Sequence, residues 1–115
     1  MTPEQLDQLR HAAGAASAML KLLANPDRLL LLCELANGER SVSSLEAATG
    51  IRQPTLSQQL GVLRAEGVVS THRAGKYILY RLASREAEQI MQVLYKLYCR
   101  PDGVDQSGIE GRSTD

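Results

Sequence analysis

The sequence contains no tryptophan and no phenylalanine, so four tyrosines are its only aromatic side chains. A core must therefore be filled by Leu, Ala, Val and Ile, and a Leu/Ala-rich chain favours helices over a large sheet. No segment approaches the ~20 consecutive apolar residues of a membrane-spanning helix. The opening Met1-Thr2-Pro3-Glu4 is polar and acidic, unlike a secretory signal. There are only two cysteines, Cys33 and Cys99, far apart and without a CxxC pair. That excludes the disulfide framework of a small secreted domain and places the chain, as an expectation, in the reducing cytoplasm. Histidine is equally scarce: His11 and His72 are the only imidazoles, and neither stands at ligand spacing from a cysteine.

Net charge is also missing: 13 basic residues balance 13 acidic ones. The balance is not uniform. Between Ser41 and Arg85 there are six basic residues against two acidic ones, a local +4 that the remainder offsets. A basic stretch between acidic flanks is what a phosphate-facing surface looks like, although ordinary surface scatter produces the same count.

What is present is helical periodicity. Leu6, Leu9, Ala13, Ala16, Leu20 and Leu23 predict a first helix over residues 4–23, broken by Asn25-Pro26. A second, opened by Asp27, carries Leu29 to Cys33 and Leu35, an apolar run that reads as a central buried helix ending at Asn37-Gly38. A short third helix is capped by Ser41 or by Ser43 in a capping box with Glu46. Leu45, Ala47 and Ala48 are expected inside it, and Gly50 ends it. The fourth runs from Pro54 to about Glu66, with Leu56, Leu60 and Leu63 as its buried stripe. The period then falls to two: residues 68–72 and 77–82 predict a hairpin around Arg73-Ala74-Gly75-Lys76. Ser84 caps a last helix with Ile90, Val93, Leu94 and Leu97 on one face. The reading is thus a mainly α fold with a β-hairpin wing, ordered α-α-α-α-β-β-α. One domain is expected over residues 1–100. Residues 101–115, without periodicity, read as a disordered tail. Its Ile109-Glu110-Gly111-Arg112 matches a processing-protease recognition tetrapeptide, by coincidence or as an expression remnant.

A short helix, a tight connection and a second helix make a helix-turn-helix. The fourth helix is long enough, at ~1.5 Å per residue, to cross a major groove. Its apolar stripe leaves Gln53, Thr55, Ser57, Gln58 and Gln59 on other faces, with Arg52 at its start and Arg64 in its last turn. Glutamine pairs bidentately with adenine, and arginine with guanine or phosphate. A solvated polar face has the same composition. The hairpin that follows, with Arg73 and Lys76 at its tip, favours double-stranded DNA, because such a wing lies along the phosphate backbone.

The stretch from Ile51 to Arg64, IRQPTLSQQLGVLR, resembles the recognition helix of the ArsR-type repressors. Asn25-Pro26-Asp27-Arg28-Leu29 and Glu66-Gly67-Val68-Val69 resemble further landmarks of that family. The resemblance covers roughly residues 12–99. It implies a winged helix-turn-helix, a homodimer built through the first and last helices, binding to an inverted-repeat operator, and repression relieved by an inducer.

Metal- and metalloid-sensing members carry a Cys-x-Cys pair or a His and carboxylate set. Here Ser41-Val42-Ser43 occupies the first position, and the last helix offers only Glu86 and Glu88. No metal and no cofactor is expected. The pattern Leu-Leu-Cys-Glu-Leu around Cys33 with Leu-Tyr-Cys at Cys99 is instead similar to the sulfide-responsive subgroup. That resemblance implies redox sensing, in which reactive sulfur species, persulfides or polysulfides, oxidise the two thiols to a disulfide or longer sulfur bridge. Taken alone, a cysteine among leucines is also simply a small hydrophobe.

No catalytic constellation stands in the sequence: no nucleophile with its base, no phosphate loop and no facing carboxylates, so an enzyme is not expected. The rival from another class is a winged-helix protein-interaction module.

Overall fold

The computed structural model describes residues 1–99. The expected tail over 101–115, with its tetrapeptide, lies outside the described residues. Five helices and three strands follow in the order α1 (Pro3–Leu23), α2 (Pro26–Leu35), β1 (Arg40–Ser41), α3 (Val42–Thr49), α4 (Thr55–Ala65), β2 (Val69–Ala74), β3 (Tyr77–Leu82) and α5 (Arg85–Tyr98).

Capping explains most boundaries. Thr2 and Gln5 form a reciprocal capping box at the start of α1, and the Asn25 side chain accepts from the Arg28 N–H at the start of α2. Ser84 caps α5 as expected. Of the two candidates for α3, Ser41 is the cap, accepting from Ser44 N–H, and the Ser43–Glu46 box does not form. Gly50 and Gly67 take φ of +76° where α3 and α4 end. Each stands in open space, so it is this left-handed conformation, not crowding, that suits glycine there.

The core gathers around α2, α3 and α4. Leu31, Leu32, Leu45, Leu56, Leu60 and Leu63 are fully buried, joined by Met91 from α5. The predicted stripe of α4 is thus the stripe that packs. Three expectations change. Ala47 and Ala48 are exposed, because so short a helix turns only Leu45 fully inward. The second helix is not buried all round, since Leu30 lies exposed on its outer side. On α5 the core takes Ala87 and Met91, with Ile90 and Leu94 partly buried against it, and leaves Val93 and Leu97 uncovered.

The hairpin forms in the register Val69↔Leu82 to Ala74↔Tyr77, closed by a tight turn at Gly75-Lys76. Arg73 therefore stands on a strand next to the turn. A third strand was not legible: β1 adds two residues to the outer side of β3 by pairing Arg40↔Tyr80 and Ser41↔Leu79, giving the order β1-β3-β2. Two residues carry no periodicity, and Ser41 serves both as strand and as cap. No helix is long and apolar enough to cross a membrane among the described residues.

Candidate DNA-reading face and thiol pair

The helix-turn-helix is α3, the connection from Gly50 to Pro54, and α4. The connection is pinned from within. The Thr49 hydroxyl donates to the Leu45 carbonyl at 2.7 Å and accepts from the Ile51 N–H at 3.2 Å, and Ile51 itself is buried. On the outward side of α4, Arg52, Gln53, Ser57, Gln58 and Arg64 are exposed, while Thr55 and Gln59 are half-buried.

Two of these side chains are engaged inside the chain. Pro54 offers no side-chain cap, and Gln53 Oε1 supplies one by accepting from the Ser57 N–H at 3.1 Å. Gln59 Oε1 accepts from Arg28 Nη1 at 3.0 Å. Arg52, Ser57 and Gln58 thus keep their polar groups outward with no partner among the described hydrogen bonds, as does Arg64 in the last turn. In the sequence Arg28 stands out only as part of the Asn25–Leu29 landmark, with no role of its own. The available signal was a cation in the first turn of a helix, the end at which the helix dipole disfavours positive charge.

The wing carries Arg73 and Lys76 at its exposed tip, with Lys76 Nζ 5.6 Å from the centre of the Tyr77 ring. Arg81, by contrast, is turned back. It hydrogen-bonds Ser70 Oγ at 3.2 Å and lies 3.8 Å from Glu39, whose carboxylate also meets His72 Nδ1 at 3.4 Å.

Cys33 and Cys99 are free thiols. Cys33 is half-buried on α2, with its thiol directed at Met91 Sδ at 3.9 Å. Cys99 is exposed at the C-cap of α5, where its N–H donates to the Tyr95 carbonyl. Both line one mostly apolar cavity of about 390 Å³ between α2 and α5, together with Glu34, Met91, Tyr95 and Lys96. Burial pushes the Cys33 thiol above its ordinary range, and the nearby Cys99 and Glu34 push the same way. Among the described residues no group of three or more His, Cys, Asp or Glu side chains is placed to hold a metal ion.

Residues 25–71 match the model of bacterial regulatory proteins of the arsR family. The chain is 50% identical over 97 residues to the biofilm growth-associated repressor of Agrobacterium fabrum, covering 84% of this chain and 83% of that one. The crystal structure of the transcriptional repressor BigR from Xylella fastidiosa superposes with a TM-score of 0.77 at 45% identity, over 84% of this chain and 96% of that one. Reduced HlyU from Vibrio cholerae superposes equally well, with a TM-score of 0.77 at 34% identity over 81% and 98% of the two chains. With its helix order, its polar reading helix and its basic wing, the chain belongs to the ArsR family of winged helix-turn-helix DNA-binding transcriptional regulators.

Proposed function

We propose that the protein is a homodimeric repressor that releases an inverted-repeat operator when reactive sulfur species link Cys33 to Cys99, derepressing genes for sulfide detoxification. The observation that carries this reading is the shared cavity: the only two cysteines of the chain, on helices far apart in sequence, line one space. The relatives named for repression support the first half, and the existence of a reduced form of HlyU is in keeping with the second.

The chemistry balances without a cofactor. The exposed Cys99 thiolate takes the outer sulfur of a persulfide R–S–SH, releasing R–SH and leaving Cys99–S–SH. Cys33 then attacks the inner sulfur, and the outer one departs as H₂S. The product is Cys33–S–S–Cys99, with the transferred sulfur reduced to sulfide as the two thiols are oxidised. If both cysteines are first charged with sulfur, the same condensation leaves a trisulfide and one H₂S. A bridge of either length ties α2, which supports α4, to α5. A release of 10- to 100-fold requires only ~1.4–3 kcal/mol of coupling.

The dimer reading rests on uncovered apolar surface: Leu6, Leu9 and Leu20 on α1 and Val93 and Leu97 on α5 are exposed. In the dimer, the described residues, 1–99, form one reading and dimerisation domain. The protein should be treated with a low-molecular-weight persulfide, its intact mass recorded, and its affinity for the operator followed by fluorescence anisotropy. An intramolecular bridge formed together with operator release is expected. Release without any bridge, or a bridge without release, would contradict the reading. Stoichiometric zinc or arsenite causing release would favour a metal-responsive regulator instead.

A further inference from the structure

Arg28 occupies the first turn of α2, where a positive charge gains nothing from the helix dipole. Its guanidinium explains the choice. Nε donates to the Leu22 carbonyl, and Nη2 reaches the Lys21 carbonyl at 3.5 Å, so that two carbonyls at the C-terminal end of α1 are capped. The remaining arm donates from Nη1 to Gln59 Oε1 at 3.0 Å. One planar, permanently charged fork therefore binds the end of α1 and the middle of α4 at once, and a fork of fixed geometry transmits angle as well as distance. Gln59 is the half-buried neighbour of the exposed Gln58 and lies one turn beyond Thr55, so the bond grips the helix at its reading segment. No other hydrogen bond or ion pair joins a side chain of α4 to α1 or α2 among the described residues.

We propose that Arg28, through Gln59, is a positioning residue that sets the pitch of the reading helix against α1, and thereby the half-site spacing that the dimer accepts. This rests on the proposed DNA-binding dimer. Gln59 then serves as an internal strut, and sequence is read by its exposed neighbours. A lysine at position 28 keeps the charge and can cap one carbonyl but cannot hold three acceptors in a plane, whereas methionine at position 59 keeps the shape and removes the acceptor.

The test compares the reduced full-length protein with R28K, Q59M and the double variant. It uses the operator, the same half-sites with one base pair inserted between them, and random DNA, with circular dichroism as the check on folding. Each single variant is expected to lose about tenfold in affinity for the operator, the size of one hydrogen bond to a charged group. The double variant should lose no more than either single one, random DNA should be bound as before, and the penalty for the inserted base pair should shrink. Losses that simply add, or an unchanged spacing penalty in a folded variant, would overturn the proposal. A loss confined to Q59M would do so too, by assigning Gln59 to direct base contact. If R28K fails to fold, Q59M alone decides through the spacing penalty. Wild-type protein that shows no salt-dependent DNA affinity would instead overturn the proposed function on which this rests.

Discussion

Leu56, Leu60 and Leu63 on α4 are at most 1% exposed, whereas Leu6, Leu9 and Leu20 on α1 keep 41%, 54% and 60% of their surface. The two helices carry similar apolar spacing, but α1 packs within its own chain only at its C-terminal end, through Met19, Leu22 and Leu23, and leaves the rest of its stripe uncovered. The reading half, α2 to β3, closes its core within the chain, sealed at its rim by Leu23 of α1 and by Ala87 and Met91 of α5. The other half, α1 with the outer side of α5, leaves an apolar seam open. Hydrophobic periodicity states that a face will be covered, and it does not state by what. Both outcomes are legible here in one molecule, and each makes a different response to mutation.

The sharpest contrast comes from truncating a leucine in each half. Leu60→Ala removes a sealed core side chain and should cost about 2–5 kcal/mol of folding stability, read by denaturant unfolding. Leu9→Ala should leave the fold of the subunit nearly unchanged and act on association alone. Equal loss of stability in both would break the comparison. Next in size, a charge placed in the seam, Leu9→Glu or Leu97→Glu, should drive the protein toward monomer in sedimentation at micromolar concentration and lower operator affinity in step. A dimer that survives both changes would place the interface elsewhere.

The two thiols divide in the same way, one packed and one open. At neutral pH an alkylating reagent should modify Cys99 well before Cys33. Because Cys33 is pushed upward by burial, its thiolate forms only above the ordinary thiol range, so its rate should keep climbing as pH is raised through and past that range. Equal rates at neutral pH would contradict the difference in environment. The smallest effects belong to the wing. Arg73→Ala or Lys76→Ala should weaken operator and random DNA alike and reduce the salt slope by roughly one per lost phosphate contact. Ser57→Ala or Gln58→Ala should instead weaken the operator preferentially.

Much of this architecture was legible in the sequence. The stripe of Leu56, Leu60 and Leu63, the stop at Gly50, the Ser84 cap and the hairpin all follow from local rules: helical period, left-handed glycine, side-chain capping and β-alternation. What escaped depends on contacts distant in the chain. The β1 strand exists because Arg40 and Ser41 meet Tyr80 and Leu79. Gln59 reads as a free polar residue until Arg28 is brought beside it. The exposure of Ala47 and Ala48 reflects how little of the short α3 turns inward, and that of Leu30 the outer side of α2, which an unbroken apolar run does not reveal. The thiols were singled out by residue type and resemblance, and only the packing of α5 on α2 brings them to one cavity.

The central claim is that Cys33 and Cys99 act as a pair. Its most direct measurement is operator affinity, before and after persulfide treatment, for the wild type, Cys33→Ser and Cys99→Ser, with intact mass taken on the same samples. All three should bind alike when reduced. Only the wild type should lose 10- to 100-fold in affinity, the usual scale of allosteric coupling, and only it should carry an intramolecular bridge. Release of the operator by either single variant, or a wild-type product linked only between subunits, would contradict the account.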